Sequence, residues 1–492
     1  MEEKLAKPKS MKVNATLNVI KQCCAVVFPL ITFPYVSRVL GNEGYGQYSF
    51  ANSIINYFLL IAALGVSTYA IREGSKIRDD KKKITRFCRE TFSINVISMV
   101  ISYILLAIVL IFSAKLQSYL TLILIQSISI FLTTIGTDWI NSIYEDYTYI
   151  TIRYIIIQLI GLLATFIFVR SKDDVVFYTF IMAFMYSGGN ILNYFYIKRY
   201  VKIKFVWKMN AKKHLPSVLI FFASTVSILI YVNADITMLG MYYSDDVVGI
   251  YSVSSKIYGI LKQLLNAIVV VSIPRLSNLI QNDKEKYLQT LPKVLDSVML
   301  FLLPGICGVF MLSEQIIYIV SGPEYISGAP SLSILAFATF FAILGAFLNS
   351  CILVVNNGER EVLVGTLIAA IANVLFNFIL IPAFGINGAA ITTLIAEIVA
   401  CSFYIIRKRK YSEFKLRITR SIVVALVEGG VVIGVCFVCK CFISSIWICT
   451  VVSIVVNIIA YVPILLIINP LVLKENNGLI KVIFKKVLHS SK

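Results

Sequence analysis

The sequence predicts an all-α membrane protein with fourteen transmembrane helices. Of its 492 residues, 58% are hydrophobic and only 14% are charged, whereas soluble domains carry about 25% charged residues. Its mean hydropathy is +0.84. Apolar runs of roughly 20 residues recur along the chain, which is the length that crosses a hydrocarbon core as a helix. The runs are continuous rather than alternating, so helices are favoured over a β-barrel.

The fourteen apolar runs give the order of the predicted helices. Two of them, 46–70 and 248–273, are interrupted by polar residues, and polar groups within a span usually face a bundle interior or a hydrated cavity. The approximate limits are 15–37, 46–70, 91–113, 117–137, 151–169, 176–197, 216–239, 248–273, 295–319, 330–354, 362–382, 387–406, 419–440 and 446–469.

The formal net charge of +19 is concentrated in short segments between the apolar runs. With the N-terminus placed in the cytoplasm and residues at the ends of runs counted with the adjoining segment, 37 of the 45 Lys and Arg residues fall in cytoplasmic segments, 5 in outer loops and 3 within runs. Enrichment of basic residues on the cytoplasmic side is the usual orientation signal of membrane proteins. We therefore expect both termini to be cytoplasmic, and the charge does not indicate a nucleic-acid partner.

A weak internal repeat predicts the domain organisation. Gly-Gln-Tyr-Ser at 46–49 begins the second run, and Gly-Ile-Tyr-Ser at 249–252 begins the eighth, 203 residues later. An offset of six helices preserves orientation, so two six-helix bundles would be related by a pseudo-two-fold axis along the membrane normal. The predicted divisions are an N-terminal bundle over 1–205, a C-terminal bundle over 206–406, and two additional helices with a basic cytoplasmic tail over 407–492.

Polar side chains form a stripe along the eighth run. Their spacings of four, three, four and four residues put all five on one face of a helix. A lysine within a span is costly in lipid, so we expect its face to border a water-filled cleft between the two bundles. The five residues are Tyr251, Ser255, Tyr258, Lys262 and Asn266.

Runs 1 and 2 contribute further candidates for lining the same cleft. These are Asn18 and Lys21 in run 1 and Tyr48, Asn52 and Asn56 in run 2. The two lysines, Lys21 and Lys262, would attract an anion, while tyrosine and asparagine would stack on or hydrogen-bond sugar rings. The alternative is polar packing between helices, with each lysine paired to a carboxylate. Lys21 could also extend its side chain to the membrane interface.

Carboxylates also lie within the apolar runs, and three of them are able to bind a coupling cation or proton. Asp235 in run 7 and Glu397 in run 12 are the candidates for binding a coupling proton or sodium ion, and Glu428 lies near the middle of run 13. Ionisable residues within a membrane span often mark ion pathways. Each of the three could instead be the partner of a lysine.

The sequence lacks the motifs of an enzyme. It has no Walker-type glycine motif and no paired acids on an ordered loop. Its ten cysteines form no disulfide framework, and most lie in apolar runs, where cysteine behaves as a small hydrophobic residue. We therefore predict a protein that is not an enzyme and holds neither a cofactor nor a metal. Transport would depend on an ion gradient or on the gradient of the transported lipid.

Five stretches carry a resemblance to a known family. They are FPYVSRVLGNEGYGQYSFANSIINY at 33–57, AIRE at 70–73, NAD at 233–235 with MLG at 238–240, VGIYS at 248–252 and GINGAA at 385–390. Together they resemble the polysaccharide-biosynthesis transporters, the Wzx-type flippases of O-antigen and capsule repeat units. The resemblance covers runs 1 to 12. The motifs also occur in the wider superfamily of drug/ion antiporters and lipid II flippases.

The resemblance implies a two-bundle, fourteen-helix fold that works by alternating access in the bacterial cytoplasmic membrane. The implied substrate is an oligosaccharide on undecaprenyl diphosphate, which is turned outward for the synthesis of O-antigen, capsule or exopolysaccharide. Membrane lipids and the polysaccharide polymerase machinery are the other implied partners.

Four other functions are weaker. A multidrug or cation antiporter would favour carboxylates in the N-terminal bundle, where Asp138 lies only at the end of run 4. A lipid II flippase shares the superfamily motifs. A membrane polymerase or ligase would carry a sizeable outer loop, and the outer loops here are short. A structural scaffold does not account for Lys262.

Overall fold

The computed structural model describes residues 11–468, apart from the side chains of 11–16, 18, 19, 22, 224, 227, 228, 231, 232 and 462–468. Within that range the chain is helical and has no β-strand, which confirms the predicted all-α class. The α-helices are α1 (Met11–Ala63), α2 (Val66–Ser75), α3 (Lys81–Phe112), α4 (Ala114–Gln117), α5 (Leu120–Gly136), α6 (Asp138–Ile143), α7 (Tyr147–Phe168), α8 (Val175–Ser187), α9 (Gly189–Tyr196), α10 (Ala211–Tyr242), α11 (Asp245–Asn282), α12 (Lys284–Met311), α13 (Ser313–Ser321), α14 (Ala329–Phe347), α15 (Glu359–Arg407), α16 (Arg420–Phe442) and α17 (Ile446–Ile468).

Ten helical stretches within residues 11–468 are long and apolar enough to cross a membrane. Large apolar side chains are exposed along them, for example Ile104 on α3, Leu163 on α7 and Phe180 on α8. Such side chains suit contact with lipid, since in a bilayer only the polar groups need partners inside the protein. The chain is therefore a multi-pass membrane protein.

Two of the ten stretches are about twice the usual length and are broken at a glycine. Gly41 in α1 has φ 68° and ψ 178°, and Gly385 in α15 has φ 56° and ψ −130°. Glycine adopts a positive φ without the steric cost that other residues meet. Each glycine therefore separates two helices, and both breaks fall in gaps between predicted runs. The predicted total of fourteen spans stays a prediction.

The chain divides into two compact units. Unit 1 comprises residues up to 253, 320–327 and 366–392, and unit 2 comprises 254–319, 328–365 and residues from 393 onward. These units follow the density of contacts rather than the internal repeat. The predicted divisions at 205 and 406 are not tested by them and stay predictions.

Each unit has its own apolar core. In unit 1 one cluster of buried residues includes Tyr69, Phe87 and Trp139. In unit 2 the cluster includes Tyr287 and Phe347. Buried polar side chains accompany both clusters. Hydrogen bonds between such side chains help to hold membrane helices together, because apolar side chains contact lipid as favourably as they contact another helix.

The two glycines of the predicted repeat touch across unit 1. A Cβ atom on Gly46 would lie 1.8 Å from the carbonyl oxygen of Asp245, and one on Gly249 would lie 1.9 Å from that of Asn42. Only glycine permits so close an approach of two helix backbones. Asn42 and Asp245 are also 203 residues apart. The offset that the sequence predicts therefore relates the residues on one side of this contact to those on the other side.

Candidate functional site

A cavity of about 590 Å³ with both polar and apolar side chains in its lining lies within unit 1. The lining comes from every helix from α1 to α9 except α4, so that side chains from many parts of the N-terminal half converge on it. The lining residues include two cations and one carboxylate. These are Lys21, Arg153 and Asp138, joined by Asn95, Gln158 and Asn190 among the neutral polar residues.

Arg153 and Asp138 form a two-pronged ion pair at the cavity wall. Arg153 Nη2 lies 2.7 Å from Asp138 Oδ1 and 2.8 Å from Oδ2. Asp138 begins α6 directly after Thr137, whose left-handed φ of 43° separates α5 from α6. Asn193 on α9 donates to the same carboxylate at 2.9 Å. The break after α5 thus turns the carboxylate toward α7 and α9.

Two donor groups at this cavity have no hydrogen-bond partner in the described part of the chain. They are Nη1 of Arg153 and Nε1 of Trp139, both buried. The Arg153 side chain is 8% exposed, whereas the Asp138 side chain is 47% exposed. Leaving a buried donor unbonded costs about 1–3 kcal/mol, so a ligand with acceptor oxygens would be stabilised here.

Lys21 extends the positive charge of this cavity. Its Nζ lies 5.6 Å from the centre of the Tyr154 ring, and Lys21 is not part of an ion pair with any described residue. The sequence predicts Lys21 in a cleft between two bundles, whereas the cavity that it lines lies within unit 1; its role in binding stays a prediction. With Arg153 balanced by Asp138, the lining retains one positive charge for an anion.

Lys262, the second predicted lysine, lies in unit 2 beside an acid. Its Nζ is 2.6 Å from Oε1 of Glu397, and Tyr258 donates to the same oxygen at 2.8 Å. The Lys262 side chain is 34% exposed and Glu397 is 9% exposed. A Cβ on Gly259, one turn away, would meet nothing within 4 Å. The lysine is therefore paired but not enclosed, and its role in binding stays a prediction.

Asp235 is the centre of a buried polar cluster in unit 1. Tyr251 donates to Oδ2 at 2.7 Å, and Asn377 and Asn373 donate to Oδ1 at 2.8 and 3.1 Å. Thr392 in turn donates to Oδ1 of Asn377. The hydrogen bonds donated to this buried carboxylate stabilise its charged form, and its role in ion coupling stays a prediction.

The other predicted cavity residues are distributed as follows. Tyr48 is buried and packs edge-on against Tyr178 with ring centres 4.7 Å apart. Asn56 donates to Oδ1 of Asn233 at 3.1 Å. Asn52, Ser255 and Asn266 are half-buried, and the side chain of Asn18 lies outside the described residues. Of these residues, none whose side chain is described lines the cavity that holds Lys21.

Four residues at these sites are not among the candidates that the sequence predicts. By sequence, Arg153 is one of the basic residues of the cytoplasmic segments, and Asn373, Asn377 and Thr392 carry no predicted role. The four-residue spacing of Asn373 and Asn377 places both on one helix face within an apolar run, and this was the available signal. For Arg153 no local pattern distinguishes a cavity lining from an interfacial charge.

Known proteins resemble this chain in sequence and in structure. The family model described as polysaccharide biosynthesis protein matches residues 12–280. A protein of Escherichia coli (strain K12) that carries the name of an O-antigen transporter is 24% identical over 401 residues, which is 80% of this chain and 95% of that protein. The capsular polysaccharide biosynthesis protein CapF of Staphylococcus aureus is 27% identical over 229 residues, 44% of this chain and 56% of that protein.

Two solved structures share the fold. The lipid II flippase MurJ in an inward closed conformation has a TM-score of 0.73 at 15% identity and covers 92% of this chain and 98% of its own. An inward-facing multidrug resistance transporter of the MATE family has a TM-score of 0.57 at 14% identity, with 78% and 93% covered. The family model spans more than half of the sequence. The chain therefore belongs to the polysaccharide biosynthesis protein family.

Proposed function

We propose that this protein is a flippase for oligosaccharide repeat units linked to undecaprenyl diphosphate. The observation that carries the proposal is the cavity of unit 1, where Lys21 and Arg153 outnumber the single acid Asp138 and two buried donors lack partners. A diphosphate presents several acceptor oxygens and negative charge, and charge-assisted hydrogen bonds to guanidinium are among the strongest available to a protein.

The neutral polar residues of the cavity suit the saccharide part of such a substrate. Asn95, Gln158 and Asn190 offer amide donors and acceptors next to the cations. The protein would receive the lipid on the cytoplasmic side of the bacterial inner membrane and release it outward. The names of the E. coli and S. aureus relatives, an O-antigen transporter and a capsular polysaccharide biosynthesis protein, support this class of substrate.

Asp235 is proposed as the site that couples transport to a proton or sodium ion. Its carboxylate is buried and accepts hydrogen bonds from Tyr251, Asn373 and Asn377. Ionisable side chains buried within membrane spans commonly mark proton or ion pathways. Asp235→Asn should remove the dependence of transport on the ion gradient. Transport by Asp235→Asn that follows the gradient as strongly as the wild type would contradict this role.

The same proposal includes the finer architecture of fourteen helices in two six-helix bundles, followed by α16 and α17. The breaks at Gly41 and Gly385 support the count, because each divides one long helix into two predicted spans. The reciprocal contact of Gly46 and Gly249 supports a pseudo-two-fold relation. Both termini are placed in the cytoplasm by the distribution of basic residues.

A cation exporter is the second candidate, because the MATE transporter shares the fold. The cavity argues against it, since Asp138, the one carboxylate among its described lining residues, is held by Arg153 at 2.7 and 2.8 Å. A cationic drug would have to displace this guanidinium. A lipid II flippase is another alternative, because the lipid II flippase MurJ shares the fold.

Reconstituted vesicles distinguish these candidates. The purified protein is placed in liposomes with a fluorescent oligosaccharide on undecaprenyl diphosphate, and the fraction accessible to a membrane-impermeant quencher is followed over time. We expect translocation of this lipid, slower translocation of lipid II, and no efflux of a cationic dye. Dye efflux without lipid translocation would overturn the proposal in favour of a cation exporter.

A further inference from the structure

Glu428 is a buried acid that the proposed transport cycle does not use. It lies on α16 in unit 2, is 1% exposed, and its Oε1 has no hydrogen-bond partner in the described part of the chain. Buried polar atoms without partners are rare in proteins and call for an explanation. α16 packs extensively on α12 and on α17, so Glu428 faces protein rather than lipid.

No positive charge is available to Glu428 from the described residues around it. Cys307 of α12 packs against Gly429, with its Sγ 3.0 Å from where a Cβ would stand. Tyr461 of α17 lies close enough to interact electrostatically with Glu428. None of the ion pairs of residues 11–468 includes Glu428. An isolated carboxylate inside a membrane protein is far costlier than the neutral acid.

A polar stripe on α17 leads away from Glu428. Tyr461, Asn457 and Ser453 follow one another at intervals of four residues, which places them on one face of α17. Ser453 Oγ and Asn457 Oδ1 are also buried without partners in the described residues. Asn457 Nδ2 reaches Cys436 on α16 at 3.7 Å. The stripe thus runs between α16 and α17 toward their connection at 443–445.

The helix opposite Glu428 is weakened at the same level. Pro304 lies inside α12, three residues before Cys307, and proline removes the hydrogen bond to the carbonyl one turn earlier, that of Leu300. Leu300 packs with Val424 and Ala425, one turn from Glu428 on α16. A change of charge at Glu428 would therefore act on a helix pair that can bend.

We propose that Glu428 is a proton-binding site, separate from Asp235, that exchanges its proton with water along the polar stripe of α16 and α17. The proton comes from water at the membrane surface and converts the carboxylate to a neutral carboxylic acid. On release it returns by the same route. Ser453 and Asn457 supply oxygens that relay the proton or hold a water that does so. This inference does not depend on which lipid the protein transports.

Infrared spectroscopy of the full-length protein in lipid nanodiscs tests the site without any transport substrate. The wild-type spectrum minus that of Glu428→Gln should contain the carbonyl band of a protonated carboxylic acid at neutral pH. The band should disappear reversibly in alkaline buffer. A carboxylate band at neutral pH, or an acid band that persists until the protein unfolds, would overturn the proposal.

Two comparisons make the result specific. Glu413→Gln removes an exposed acid, so its difference spectrum should show carboxylate bands instead. Asn457→Leu should leave the Glu428 band in place but slow its exchange for deuterium about tenfold, since one relay group is lost. Unchanged exchange in Asn457→Leu would remove the stripe from the proposal.

Modification by a hydrophobic carbodiimide tests the protonation of Glu428 without a variant, because this reagent reacts with protonated carboxyl groups in apolar surroundings. Peptide mass spectrometry of the treated wild-type protein should find the modification on Glu428 and not on Glu413. Modification of other acids with Glu428 intact would count against a protonated Glu428.

Discussion

Lys21 in unit 1 and Lys262 in unit 2 look alike in the sequence and differ in the structure. Lys21 lines a cavity of about 590 Å³ in which Arg153 already satisfies the one acid. Lys262 has Glu397 at 2.6 Å. Both lysines stand in apolar helices, so the burial of the helix does not decide their roles. The nearest acid therefore determines whether the charge of a lysine in a membrane helix is available to a ligand.

The same comparison distinguishes a charge that stabilises the fold from a charge that is available to a ligand. The Lys262–Glu397 pair is about charge-neutral, and with Lys262 one third exposed it contributes on the order of 1 kcal/mol or less. The cavity of Lys21 keeps a surplus of positive charge and unbonded donors, which is unfavourable for folding and favourable for binding an anion. We therefore expect substitutions in the cavity to change transport, and those at Lys262 to change mainly stability.

Arg153 should give the largest effect. Arg153→Gln removes the buried guanidinium and should lower the affinity for the lipid-linked saccharide about 10- to 100-fold, the loss of a charge-assisted hydrogen bond. The measurement is the initial rate of translocation in vesicles as a function of lipid concentration.

Asp138→Asn is the matched control for Arg153→Gln. It breaks the same ion pair but increases the positive charge of the cavity, so affinity should be retained or rise. Equal losses in Arg153→Gln and Asp138→Asn would mean that the ion pair supports the fold and that the cavity charge does not bind substrate.

Lys21→Ala should give the next largest effect. Loss of one unpaired cation at a half-buried position should lower affinity about tenfold, while the thermal midpoint of the purified protein should change little. Lys21→Arg keeps the charge and should retain transport. Failure of both Lys21→Ala and Lys21→Arg would point to packing rather than charge at this position.

Trp139→Phe should give a smaller effect. It keeps most of the aromatic volume and removes the unbonded Nε1 donor. One neutral hydrogen bond contributes about 1 kcal/mol, so affinity should fall about fivefold. The measurement is the same vesicle assay. An unchanged affinity would show that this donor does not reach the substrate.

The smallest effect is expected at the pair of unit 2. Lys262→Ala leaves Glu397 without its cation and should lower the thermal midpoint, whereas Lys262→Ala combined with Glu397→Gln should regain most of the loss. A double-mutant cycle should give a coupling free energy of about 1 kcal/mol. Loss of translocation in Lys262→Ala that persists in the double variant would support the predicted role of Lys262 in binding and contradict a mainly stabilising one.

Much of the fold was accessible from the sequence because membrane helices obey simple length and hydropathy rules. The breaks at Gly41 and Gly385 fall between predicted spans, and the 203-residue offset corresponds to an actual contact of Gly46 and Gly249. The family resemblance was confirmed by the match of residues 12–280. The number of helices and the two-bundle arrangement stay predictions.

The site was less accessible because its contacts join helices that are distant in sequence. Arg153 and Asp138 lie on different helices, and the partner of a charge cannot be read from helical spacing. His214, which the sequence places in a basic stretch, is buried between Tyr69 at 2.6 Å and Glu90 at 2.8 Å. Periodicity gives the face of a helix but not the neighbour that the face meets.

The most direct test of the account is equilibrium binding of two lipids to the purified protein, one with the diphosphate and one without it. Wild-type protein should bind undecaprenyl diphosphate oligosaccharide more tightly than the uncharged undecaprenol, and Lys21→Ala combined with Arg153→Gln should abolish that preference. A preference of equal size in the wild type and in the double variant would contradict the assignment of the cavity in unit 1 as the site of the anionic head.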